Sequence, residues 1–222
     1  MNGKPLIEVG WINDHWGLIG QRFIQHLELT IVPVIAGFVI ALLISIFVLG
    51  RPRLYTVVIG IAGILYTIPS LAAYLLVAQF TKLSLLTAVI PLTTYTLLIL
   101  IRGIVAGFRS VPRDVLEAAE GMGYTATQRL LRVELPLAVP LMFAAVRLAT
   151  VTTIGLATVA AILGDTYGGF GQFLTEGLQN FFSTEIYLGA ILSVVFAIAA
   201  DLILVRVERL ATPWARSRAG AR

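Results

Sequence analysis

The 222-residue chain has no cysteine, which excludes a disulfide framework and any thiolate metal site. Charge is scarce as well. Only 13% of the residues are charged and 58% are hydrophobic, whereas a water-soluble domain carries about 25% charged residues. No G-x-x-x-x-G-K-[ST] phosphate loop occurs anywhere, so ATP hydrolysis on such a loop is not this chain's own work. Internal repeats and low-complexity linkers are missing too, and the chain reads as a single membrane domain.

What is present is long apolar runs and a mean hydropathy of +0.92. About 20 apolar residues cross a bilayer as a helix. Five segments meet that length, roughly 27–49, 54–78, 83–107, 137–163 and 185–205, and predict an all-α integral membrane fold. The first run is too long for a signal-peptide core and is expected to be a retained span.

A formal charge of +4 would suit nucleic acid, but the arginines sort by membrane side instead. Arg51 and Arg53 separate the first two spans. Arg102, Arg109, Arg113, Arg129 and Arg132 close span three and fill the connection to span four. Arg206, Arg209, Arg216, Arg218 and Arg222 follow span five. The other side carries Lys4, Arg22 and Lys82 with the acids Glu8, Asp14, Asp165, Glu176 and Glu185. The positive-inside rule then places the N-terminus outside and the C-terminus in the cytoplasm. Trp11 and Trp16 on one side and Trp214 on the other suit interfacial anchors.

Residues 114–136 form the longest segment on the arginine-rich side and interrupt the aliphatic text with charge, glycine and small alanines. Pro112 suits the start of a helix and Asp114 its first turn. That helix presents Val115, Leu116, Ala118, Ala119 and Met122 until Gly121 and Gly123 break it. Thr125-Ala-Thr-Gln128 reads as a capping box opening a second short helix, with Pro136 leading into span four.

Within this segment Glu117-Ala118-Ala119, Gly123 and Val133-x-Leu135-Pro136 match, in order and spacing, the EAA loop of ATP-binding cassette (ABC) importer permeases. The chain therefore resembles that family, with its MetI-like permease fold. The resemblance implies a coupling helix docking on a cytoplasmic ABC ATPase dimer, with Glu117, Ala118, Ala119, Gly123, Leu135 and Pro136 as the motif positions. It also implies that ATP and Mg are bound by that partner, so no cofactor belongs to this chain. A second permease subunit (same chain or paralogue), an extracytoplasmic substrate-binding protein and the bacterial inner membrane complete the expected setting. On this reading residues 1–26 are an external segment, 27–205 the transmembrane domain with its coupling loop at 109–136, and 206–222 a cytoplasmic basic tail.

Further stretches resemble the branch of the family that imports glycine betaine, choline, carnitine and related osmoprotectants. They are His26-Leu27-x-Leu29-Thr30, Thr67-Ile68-Pro69-Ser70-Leu71, Val146-Arg147-Leu148-Ala149-Thr150-Val151 and Leu210-x-Thr212-Pro213-Trp214. One departure is Gly164-Asp-Thr-Tyr-Gly-Gly-Phe-Gly171, where the branch has a compact Gly-Ala-Gly-Gly-Leu-Gly turn. An amino acid or another small solute is the alternative cargo.

Arg147 lies inside span four, and an intramembrane charge calls for a partner, for which Asp201 in span five is the candidate. Pro33, Pro69, Pro91 and Pro140 fall within spans and can hinge them; Pro69-Ser70 stands out for the polar groups beside it. Tyr167, Phe170, Phe173, Phe181 and Phe182 fit an aromatic belt better than a cation–π site. An aspartyl protease built on Asp165 and Asp201 is excluded, because the topology sets the two near opposite faces. A passive channel has no use for an ATPase-docking loop.

Overall fold

A computed structural model describes residues 6–164 and 167–216, and all regular structure among them is helical. Lys4, Asp165, Arg218 and Arg222, which entered the assignment of sides, lie outside the described residues. Helix α1 (Val9–Asp14) leads into α2 (Trp16–Val48), which runs 33 residues through Pro33 without a break. Then come α3 (Pro52–Thr67), α4 (Ser70–Thr81), α5 (Leu85–Arg109), α6 (Arg113–Gly121) and α7 (Ala126–Arg129). A π-helical segment (Leu130–Glu134) joins α7 to α8 (Leu135–Ala157), which tightens into a 3-10 segment (Thr158–Leu163). Helices α9 (Gly171–Gln179), α10 (Ser183–Ala211) and α11 (Pro213–Arg216) complete the described chain.

Four helical runs have the length and apolarity to cross a membrane: α2, α5, the 38-residue stretch Ala126–Leu163, and α10. Helices α3 and α4 have that apolarity only together and are bent by 93° at the break between them, the geometry of a broken span or a re-entrant loop.

The helices overrun three of the boundaries read from hydropathy. Residue 27 falls inside α2, because Arg22 and His26 are buried (5% and 0% exposed) against other helices rather than left in water. Residue 206 falls inside α10, and residue 136 inside the run leading through α8. Hydropathy marks where polar residues begin, whereas backbone hydrogen bonding carries a helix past them.

Helix α5 is the centre of the bundle, packed between α2 and α8. Without a hydrophobic force between helices in lipid, close approach has to come from small residues. Gly103 and Gly107 form a G-x-x-x-G stripe on α5 facing Ala145 and Ala138 of α8. A Cβ at Gly103 would sit 2.1 Å from the Ala145 Cβ, and one at Gly107 would sit 2.9 Å from the Ala138 carbonyl oxygen. That contact is sealed by Ile101, Ile104, Val105 and Met142.

Of the prolines inside spans, only Pro69 breaks its helix; α2, α5 and α8 pass through Pro33, Pro91 and Pro140. At the α3–α4 elbow the Tyr95 hydroxyl of α5 donates to the Ile68 carbonyl at 2.7 Å. Thr67 turns its hydroxyl back to Ile64 O at 2.7 Å, so it offers no free polar group at the bend. Sequence pattern marked the proline but not the tyrosine that secures the bend, since nothing in a lone Tyr at mid-span announces a partner 27 residues earlier.

Because the α5–α8 approach depends on matched size, Gly103→Ala should destabilise the permease, overpacking costing about 1–3 kcal/mol. Adding Ala145→Gly should recover most of the loss. Thermal unfolding of the purified single and double variants measures this; equal loss in both would contradict the packing.

Candidate functional site

The segment singled out by its polarity is a compact foot on the arginine-rich end of the bundle. Pro112 is the N-cap of α6, with extended backbone (φ −60°, ψ 141°), rather than a residue of its first turn. Asp114 lies in that first turn, where the helix dipole favours an acid. Gly121 stays helical, so it does not break α6; the break falls at Gly123, whose φ is +80°. There Tyr124 N–H donates to Ala119 O (3.1 Å) and Gly123 N–H to Glu120 O (2.9 Å), the two bonds of a Schellman closure. No atom lies within 4 Å of a Cβ built at Gly123. The demand for glycine is therefore conformational.

Thr125 and Gln128 form the reciprocal capping box, with Thr125 N–H to Gln128 Oε1 at 2.9 Å and Gln128 N–H to Thr125 Oγ1 at 3.3 Å. The helix so opened is not separate from span four. It continues through the π segment into α8, and Pro136 causes no break. The wider π turn ends just before Pro136, easing a residue that cannot donate a backbone hydrogen bond. Glu117 and Ala118 face solvent, Ala119 is buried, and Leu135 packs on the central core with Pro136 half-buried beside it. Met122 and Leu131 stand exposed at 69% and 55%. Nearby, the Arg109 guanidinium lies over the Tyr55 ring, 4.5 Å from its centroid.

In the bundle Arg147 holds Asp201 in a two-pronged contact: Nε donates to Oδ1 at 2.8 Å and Nη2 to Oδ2 at 3.0 Å. Its Nη1 lies 3.7 Å from Glu208 Oε2. Asp201 and Glu208 are seven residues apart and so share a face of α10. The buried residues of α10 are Thr184, Glu185 and Gly189, all in its first two turns. The far half of that helix thus meets α8 without a buried residue of its own, and Arg147 ties the two helices there.

At the other end the Gly169–Phe170 turn closes on α2. The Phe170 N–H donates to His26 Nδ1 at 3.3 Å and the two rings stack at 4.7 Å. Phe170 and Phe173 are 1% and 0% exposed, so they are core residues rather than members of an interfacial belt, while Phe181 is 94% exposed. Arg22 pairs with Glu176 at 3.3 Å across the same junction. Pro69 caps α4 and Ser70 opens it, half-buried and far in sequence from any of these clusters. No group of metal-ligating side chains occurs among the described residues.

Sequence reading missed the ionic bridge made by Arg129 to Glu120 and Glu134. It also missed the α5 stripe, although G-x-x-x-G in an apolar run is a legible sign.

The geometry around Arg147 sets an order of severity. Asp201→Asn leaves Arg147 next to Glu208, whereas Arg147→Gln leaves two neighbouring carboxylates without a counter-charge. Arg147→Gln should therefore lower folded yield and thermal midpoint more than Asp201→Asn does. The reverse order would contradict this arrangement.

Residues 34–216 match the family model described as "Binding-protein-dependent transport system inner membrane component". The carnitine transport permease protein OpuCB of Listeria monocytogenes is 34% identical over 86% of this chain and 87% of its own length. The choline transport system permease protein OpuBB of Bacillus subtilis is 30% identical over 95% and 96%. The osmoprotectant import permease protein OsmW of Salmonella typhimurium is 31% identical over 92% and 97%. Among solved structures, an inward-facing MetNI methionine ABC transporter chain superposes with a TM-score of 0.79, covering 90% of this chain and 98% of that one at 25% identity. With a helical bundle of four to five spans, a helix–glycine–helix foot and these relatives, the chain belongs to the family of inner-membrane permease components of binding-protein-dependent ABC importers.

Proposed function

We propose that this permease moves a small quaternary ammonium osmolyte inward, with glycine betaine preferred over bare choline. The observation that carries the reading is the near full-length similarity to permeases named for carnitine, choline and osmoprotectants. Charge supports the zwitterion. Asp201 is already engaged by Arg147, so it does not stand as a fixed counter-charge for a cation in transit. A betaine needs none, because it carries both charges itself.

The energy source in this reading is a cytoplasmic ABC ATPase dimer docking on α6. ATP and Mg reside there, a second permease copy or paralogue completes the pore, and an extracytoplasmic binding protein selects the solute. Glu117 and Ala118 stand exposed on α6 with Met122 just past its end, and Gly123 sets the turn that presents them. The arginine-rich end is then cytoplasmic, with the N-terminus outside and the C-terminus inside.

Three measurements test this. ATP-dependent uptake into vesicles holding the complete transporter should occur for glycine betaine and more weakly for choline; uptake of methionine or histidine alone would overturn the substrate. Gly123→Val forces a branched side chain into positive φ, a strain on the order of 1–3 kcal/mol, and should abolish coupled transport while the spans stay folded. Glu117→Lys should do the same, and wild-type uptake in both variants would refute docking at α6. With no native cysteine, Thr127→Cys should react with impermeant thiol reagents only from the cytoplasm and Gln179→Cys only from outside. The opposite labelling would invert the orientation.

A further inference from the structure

The π segment between α7 and α8 has a geometric consequence. On an α-helix, residues five apart are about 140° out of register at 3.6 residues per turn. A π-helix bonds i→i+5 and winds more widely, so residues five apart lie much closer to one face. Leu130–Glu134 is π-helical, and Arg129 and Glu134, five apart, are brought together: Arg129 Nε donates to Glu134 Oε1 at 2.9 Å. The same guanidinium reaches across the Gly123 turn, its Nη1 donating to Glu120 Oε1 on α6. The Glu134 side chain is 9% exposed, that of Arg129 29%, and that of Glu120 58%. One cation thus bridges a buried carboxylate at the root of span four and an exposed one on the docking helix.

We infer that Arg129 is a latch that makes α6 and α8 move as one piece, so that displacement of the docking helix reaches the transmembrane bundle. The inference rests on the docking role assigned to α6. Without the latch, α6 is held by the buried Ala119, the half-buried Val115 and Leu116, and the Gly123 turn. These fix its position loosely but do not resist its pivoting on the turn. The π register brings Glu134 to Arg129, and the Gly123 turn brings Glu120 to it. The buried arm of the latch is therefore set by backbone geometry that a regular α-helix would not supply. Arg129 is a positioning residue here: it acts through α6 and touches no nucleotide or solute.

Removing Arg129 would strand the buried Glu134 and endanger folding, so the informative change is Glu120→Gln, which takes away only the exposed arm. In the complete transporter this variant should bind the ATPase with unchanged affinity, yet ATP hydrolysed per solute imported should rise at least threefold. Glu120→Asp, which keeps the charge, should restore most of the coupling. In the full-length permease alone, amide hydrogen exchange at Gly123 and Tyr124, whose N–H groups close the turn, should quicken by a similar factor in Glu120→Gln. An unchanged coupling ratio and unchanged exchange would overturn the latch, as would failure of Glu120→Asp to rescue. Weaker ATPase binding with a normal coupling ratio would also overturn it, by making Glu120 a docking contact. If Gly123→Val uncouples transport while Glu120→Gln does not, the latch fails and the docking reading stands; if neither has an effect, the docking reading itself fails.

Discussion

The hydrocarbon core offers no water to a backbone polar group, so every departure from the helix needs a partner from within the protein. Two irregular passages among the described residues are met by tyrosines. Tyr95 supplies its hydroxyl to Ile68 O at the 93° elbow. Tyr74, fully buried, supplies its own to Leu156 O at 3.0 Å, just before α8 tightens into its 3-10 end. Threonines follow the same constraint in regular helix: Thr30, Thr150 and Thr153 each turn back to a carbonyl four residues earlier. As a result, the crevice of about 580 Å³ between α2 and α10 is walled almost wholly by hydrocarbon although two of these threonines line it.

With these backbone carbonyls met from within the protein, ion pairs concentrate at joints. Arg22 with Glu176 ties α2 to α9 at one end, Arg147 with Asp201 and Glu208 ties α8 to α10 further along, and Arg129 ties the foot to α8 at the other end. The stripe of Gly103 and Gly107 lets α5 and α8 approach closely, which makes that pair the stiff centre of the bundle. Helix α8 therefore links the foot, the centre and the last span. In the proposed reading, with an ATPase docked on α6, such an element carries the displacement of the foot into the bundle.

Much of this was legible in the sequence. Run lengths indicated the spans, and the glycine, the capping box and the motif spacing picked out the foot down to Gly123. What was hidden depended on three dimensions. Hydropathy began the first apolar run at residue 27, whereas α2 begins at Trp16, with Arg22 and His26 buried among helices. It left Thr125–Gln128 as a separate helix because Pro136 looks like a stop, and only the π segment shows how the chain runs through. Phe170 and Phe173 read as belt residues because nothing local tells an aromatic at an interface from one folded into a core. The partners of Tyr95 and Arg129 lie across a helix gap or a turn, beyond the reach of periodicity.

The central claim is that α6 is the face on which the motor docks. Its most direct test is a photo-crosslinking amino acid placed at Met122, the exposed apolar residue beside the Gly123 turn, in cells making the complete transporter. The account predicts a crosslink to the ATPase subunit from Met122 and none from Leu178 at the opposite end of the bundle. Crosslinks to the ATPase from Leu178, or none to it from Met122, would contradict it.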